Sequence, residues 1–243
     1  MSLGRRGWRH DLDEGVALAR SVSATTRSFT QLYRYAAATQ NGAVLPDAED
    51  VAQAAETLEI AQRSGNNTAV AYATLNRATT LIHTDSAERS AGFEFLAKAR
   101  EMFVDEQLIV TLRRMSDIEF ARERARSGDL DGAIDLAATI LAEQFDTGEM
   151  VFRGPATTVL VEALLSRARA GDIDAAQRAI DRLASVPTEP GFVLHGLPVL
   201  RLRALLARAH GDEPGYRQYL ERFAAKARET GFEGCVAQAE AMA

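Results

Sequence analysis

Residues 124–137 read RARSGDLDGAIDLA, residues 167–180 read RARAGDIDAAQRAI, and residues 208–220 read RAHGDEPGYRQYL. Each string is the polar, Arg-rich end of one helical segment, a Gly-Asp turn, and the start of another. Gly128, Gly171 and Gly211 recur at intervals of 43 and 40 residues. Glycine accepts the left-handed backbone that ends a helix, and an aspartate just after it can cap the next one. The small residues Ala133 and Ala176 let two helices approach closely. One such hairpin cannot bury its apolar face alone, so tandem hairpins imply stacked helix pairs.

Working outward, 3.6-residue periodicity and Gly/Pro punctuation mark twelve candidate segments, of which about eleven are expected as antiparallel helices. The segments are 11–23, 25–39, 48–64, 68–83, 86–103, 106–127, 130–144, 155–170, 173–185, 193–210, 214–230 and 232–242. Asp47 is expected to cap 48–64, Asp85 with Glu88 resembles a capping box for 86–103, and Pro155 suits a first helical turn. The expected fold is all-α, a right-handed α-α superhelix forming one domain over 1–243. Residues 1–10 are expected to be a disordered or appended start. Trp8-Arg9-His10-Asp11 leads straight into a helix without its mate, so a fragment of a longer architecture is expected.

Composition agrees. The apolar 47% is mostly Ala and Leu, and aromatics make up only 7%, which favours helix over strand. A net charge of −6 gives no electrostatic reason to expect nucleic-acid binding. Lys98 and Lys226 are the only lysines; every other cation is Arg or His. Cys235 stands alone, which excludes an internal disulfide or a cysteine cluster. The basic N-terminus lacks a signal-peptide apolar region, and the densest apolar run, 193–209, contains Arg201, Arg203 and Arg208. No membrane partner and a cytoplasmic location are expected.

GDLDGAI and GDIDAAQ resemble the Gly-Asp-apolar-Asp-x-Ala turn of the tetratricopeptide family, and Pro187 falls where that family often ends its second helix. The repeat intervals are longer than that family's, and Gly215-Tyr216 replaces the small residue in the third copy. The strings VTLRRMSDIEFARERARSGDLDGAI, GEMVFRGPATTVLVEALL, GFVLHGLPVLRLRALLARA and ETGFEGCVAQAEAM resemble the C-terminal helical region of actinobacterial, particularly mycobacterial, signalling proteins. Those proteins join a class III adenylate cyclase, an AAA/NB-ARC-type ATPase and a tetratricopeptide-like region, some with a LuxR-type DNA-binding domain. The resemblance implies a regulatory interaction module, with the protein's own upstream ATPase or cyclase domains among its partners.

The residues themselves offer no catalytic, cofactor or metal site. Neither lysine follows a glycine-rich phosphate loop, and no strand pattern carries a cyclase's paired carboxylates. His10, His83, His195 and His210 are scattered, with His195 the strongest candidate of the four. Asp129, Asp131 and Asp135 lack calcium-loop spacing and are expected to be solvated turn and helix-face residues. Cys235, near a helix start, is expected to pack rather than react.

In tetratricopeptide-like arrays the first helix of each pair lines the concave groove. Helical geometry places Arg113, Asp117, Phe120 and Arg124 on one stripe of 106–127. Arg153, His195 and Arg201 extend the candidate surface. Such a surface suits a carboxylate or peptide of a protein partner; the same residues are otherwise expected to pair with acids of neighbouring helices. A small-molecule effector is the alternative ligand. Weak self-association through the end of the array is also expected.

Overall fold

The computed structural model describes residues 7–84, 88–105, 110–189 and 191–243. Among them there are twelve helices and no strands: α1 (Trp8–Ala19), α2 (Ala24–Gln31), α3 (Ala48–Ser64), α4 (Asn67–His83), α5 (Arg89–Asp105), α6 (Val110–Arg126), α7 (Leu130–Asp146), α8 (Arg153–Arg167), α9 (Asp172–Ala184), α10 (Val193–Ala209), α11 (Glu213–Thr230) and α12 (Glu233–Met242). Helix α2 runs on through a π-helical stretch, Leu32–Ala37, into a last turn at Ala38–Gln40. The Asp85 cap, the starts of segments 86–103 and 106–127, Leu108 and Pro190 lie outside the described residues.

Two compact units divide the chain, 1–116 and 117–243, where a single domain is expected. Helix α1 also starts inside the stretch 1–10 set aside above, and the Trp8 indole is buried.

In the first unit α4 is the central helix, packed by α2, α3 and α5. Twelve of its seventeen residues are buried. Its threonines meet that burial by bonding backward: Thr79 donates to the Leu75 carbonyl at 3.0 Å and Thr74 to Val70 at 2.6 Å, the local pairing open to Thr in a helix. Asp47 caps α3 as expected, taking the amides of Glu49 and Asp50 at 2.8 and 3.0 Å, while Asp50 returns a carboxylate to the Asp47 amide. That is a reciprocal capping box.

The second unit, which takes in α6 from Asp117 on, contains the three turns read from the repeats: α6 to α7, α8 to α9, and α10 to α11. Each of α7 to α12 packs on its sequence neighbour, and α8 also packs on α10. Val161, Leu164, Ala176, Ile180 and Leu202 form its core. The turn glycines adopt positive φ, 93°, 86° and 72°, as the repeat requires.

The aspartates after those glycines do not all act alike. Asp129 and Asp212 cap α7 and α11, accepting the amides of Gly132 and Gly215 at 3.0 Å. A Cβ at Gly132 or Gly215 would sit 2.3 or 2.1 Å from the capping carboxylate. The middle copy has Ala175 at that place. There Asp172 turns back, taking Arg167 through two hydrogen bonds of 3.0 and 2.6 Å and the Arg169 amide at 2.8 Å. The expected cap is replaced by a clamp.

Helix α8 begins at Arg153, earlier than expected, because the Glu149 carboxylate satisfies the amides of Val151 and Phe152. It stops at Arg167, where Ala168 turns left-handed at φ 52°.

Candidate functional site

The first helices of the three hairpins, α6, α8 and α10, line one open groove of about 660 Å³. That volume is in the range of ligand-binding clefts. Arg122 and Arg126 reach it from α6, Glu162 and Ser166 from α8, Arg201 and Arg208 from α10, and Met242 from the end of α12. Leu130, Val159, Leu165 and Leu205 supply its apolar surface. Four guanidinium groups therefore face one lining carboxylate.

Three of these arginines are anchored by acids of the same unit. Arg122 holds Glu119, whose side chain is 1% exposed, at 2.7 and 2.9 Å. Arg126 binds Glu123 at 2.5 and 2.8 Å, and Arg201 spans from α10 to Glu162 on α8 at 2.5 Å. Arg201 Nε is buried with no hydrogen-bond partner. Arg208 is placed by Tyr216, its guanidinium 4.9 Å from the ring centroid and 3.3 Å from the hydroxyl; among the described residues no carboxylate pairs with it. The Tyr216 hydroxyl in turn donates to the Met242 carbonyl, which holds the end of α12 at the groove. The surface is arranged to offer fixed guanidinium donors beside apolar patches, the chemistry that recognises carboxylates and extended acidic chains.

Of the candidates named from sequence, Arg201 lies in this groove and the other six do not. Arg113 belongs to the first unit. Asp117 is buried and Phe120 half-buried. Arg124 turns to the α6–α7 connection, donating to the Gly132 carbonyl at 3.3 Å with Asp129 at 3.9 Å. The α6 stripe at the groove is Arg122, Ala125 and Arg126, nearly opposite Arg124 around the helix.

Arg153 and His195 come together elsewhere, both 4% exposed. Arg153 donates to the Gln144 carbonyl at 2.9 Å and to Met150 Sδ at 3.3 Å. Its guanidinium and that of Arg182 lie 4.3 and 3.7 Å from the Phe145 ring centroid. The Met150 carbonyl is 2.8 Å from His195 Nε2; a carbonyl only accepts, so Nε2 carries the proton. Burial pushes His195 below the usual histidine range, against the raising effect of that bond, and Arg153 pushes it further down. Both are packed parts of the α8–α10 junction.

The other candidates settle into structure. Asp131 is gripped by Arg167 at 2.6 Å and by Arg169 at 2.9 and 3.0 Å. Cys235 is buried, and burial pushes its thiol up to about 12. Among the described residues no three His, Cys, Asp or Glu gather in a way that could hold a metal ion, and no helix is long and apolar enough to cross a membrane.

No family model matches this chain, and neither the curated proteins nor the solved structures compared with it include a match.

Proposed function

We propose that this chain is a non-catalytic helical-repeat interaction module whose α6–α8–α10 groove binds an acidic, partly apolar peptide segment of a protein partner. The observation that carries the reading is the lining itself: Arg208, with no carboxylate partner among the described residues, stands beside Arg122, Arg126 and Arg201, which hold Glu119, Glu123 and Glu162, in a chain whose net charge is −6. A basic groove on an acidic protein has to be built locally. It attracts a negatively charged segment while the rest of the surface repels one.

The α–α superhelical arrangement belongs to the same proposal. It is supported by the recurring hairpins and by the packing of α8 on α10, first helix against first helix. The strings that resemble actinobacterial cyclase and ATPase signalling proteins support a regulatory role, with an attached or separate ATPase or cyclase domain as the partner that supplies the segment. Weak self-association is part of the reading too: Leu18 near the end of α1 and Val22 just past it are 64% and 67% exposed. A strict monomer by light scattering at high concentration removes that part.

The test of the groove is charge reversal at Arg208→Glu and Arg126→Glu, with folding checked by circular dichroism. A fluorescein-labelled peptide alternating Glu and Leu is expected to bind the unaltered chain with Kd of about 10–100 μM. Raising the salt should weaken it, and each reversal about tenfold or more. Equal binding of a Lys-Leu peptide, or indifference to both substitutions, overturns the reading.

A further inference from the structure

A second cavity, of about 490 Å³, opens where the α9–α10 connection meets α10 and α11. It shares no residue with the groove. Leu183, Phe192, Leu197 and Leu200 give it an apolar wall, which the neutral, buried imidazole of His195 continues; the His195 and Phe192 rings meet edge to face at 5.0 Å. Arg203, Arg222 and Lys226 stand among its lining residues, and no carboxylate does. Their acidic neighbours lie outside it. Asp181 is 3.8 Å from Arg203, too long for a hydrogen bond, and Glu229 pairs with Lys226 on the exposed side of α11 at 3.0 Å; Arg222 rests 5.7 Å from the Tyr219 ring.

Gly196 is an exposed residue at the rim of this cavity. It lies inside α10, where glycine weakens a helix relative to alanine. Packing gives no reason for it: a Cβ there would meet nothing within 4 Å. Gly196 lines the cavity, and a large side chain in its place would stand at the cavity mouth.

We propose that this cavity is a binding site for a small amphipathic carboxylate. Its hydrocarbon body lies on the leucine and phenylalanine wall, and its carboxylate meets Arg203, Arg222 and Lys226. An apolar wall beside a few polar groups is the usual composition of a small-molecule site. Guanidinium and ammonium donors without an acid inside the cavity select the charge. The site is independent of the peptide groove and stands or falls separately from it.

The probe is octanoate, with octanol and octylamine as chain-matched controls, titrated calorimetrically into the full chain at pH 7.5. Saturable binding of one octanoate per chain is expected, at least about tenfold tighter than either control. Gly196→Leu should weaken it about tenfold or more by obstructing the cavity mouth. Arg203→Gln, Arg222→Gln and Lys226→Gln, which leave the backbone of α10 and α11 unchanged, should each weaken it several-fold. The acidic peptide should bind all four variants as it binds the unaltered chain. Octanol binding as well as octanoate, octanoate binding undiminished in a folded Gly196→Leu or in all three glutamine variants, or no octanoate binding up to about 10 mM, overturns the proposal.

Discussion

The carbonyl oxygen of Leu194 lies where a side chain on Gly154 would begin: a Cβ there would be 2.5 Å from it, and 2.9 Å from Pro198 Cγ. Pro198 sits inside α10. Having no amide hydrogen, it leaves the carbonyl four residues back, that of Leu194, without its helical bond. The freed carbonyl is pressed onto the bare backbone at the start of α8. One proline and one glycine, 44 residues apart, thus set how closely the first helices of two successive hairpins approach.

Gly154→Ala should therefore destabilise the chain by about 1–3 kcal/mol, as overpacking of a tight contact does. Gly196→Ala, three residues into the same α10, is the control. With open space around its Cβ, it should stabilise by about 0.5–1 kcal/mol through helix propensity. Urea unfolding monitored by circular dichroism checks both. Equal effects of the two substitutions would contradict the steric reading.

The Arg167–Asp172 clamp gives a pH dependence at the acid end. The guanidinium of Arg167 holds the Asp172 carboxyl at about 2, from an ordinary 3.8. The unfolded chain takes up this proton near 3.8 and the native chain only near 2. The stabilisation is therefore complete above pH 4 and is lost as the pH falls toward 2. Asp172→Asn should lower the urea midpoint at pH 7, and the gap from the unaltered chain should close over that acid window. A gap that stays constant from pH 7 to pH 2 would show that the clamp acts by shape rather than charge.

His195 works over a different window. Its buried imidazole stays neutral below the ordinary 6.5, chiefly because burial penalises the cation. Below pH 6.5 the unfolded chain binds more protons than the native one, so stability falls as the pH is lowered. His195→Gln should flatten the change in urea midpoint between pH 7 and pH 5. An unaltered slope in the variant would assign that pH dependence to other groups.

Cys235 should be chemically silent. With burial holding its thiol at about 12, almost none is thiolate at pH 8, and the thiolate is the reactive form. Labelling by a disulfide reagent should wait on unfolding, slow in buffer and rapid in urea. Rapid labelling of the folded chain would contradict its placement.

The sequence exposed the helices well, because the Gly-Asp turns and the Asp47 cap are local signals. It exposed the candidate site poorly, for reasons visible in α6. Residues 114–119 of that helix are all buried, Arg114, Asp117 and Glu119 included. That stretch, covered on every side, has no polar stripe marking an outer face, so helical spacing set the candidate stripe at Arg113, Asp117, Phe120 and Arg124, while Arg122 and Arg126 lie beyond the covered stretch. The fate of Asp172 was hidden in the same way, in the single methyl that separates Ala175 from Gly132 and Gly215. Arg153 stacks on Phe145, and His195 reaches Met150 from 45 residues away, partnerships that only the packed chain brings about.

The most direct test of a binding groove formed by α6, α8 and α10 is an amide correlation spectrum of the isotope-labelled chain, titrated with the Glu-Leu peptide. Resonances of residues 122–130, 159–166 and 201–209, together with Met242, should move in fast exchange and saturate together, while Gly191 to Leu197 stay still. Perturbations clustered on any other face, or none at peptide concentrations near 1 mM where a Kd of about 100 μM would be saturated, would contradict it.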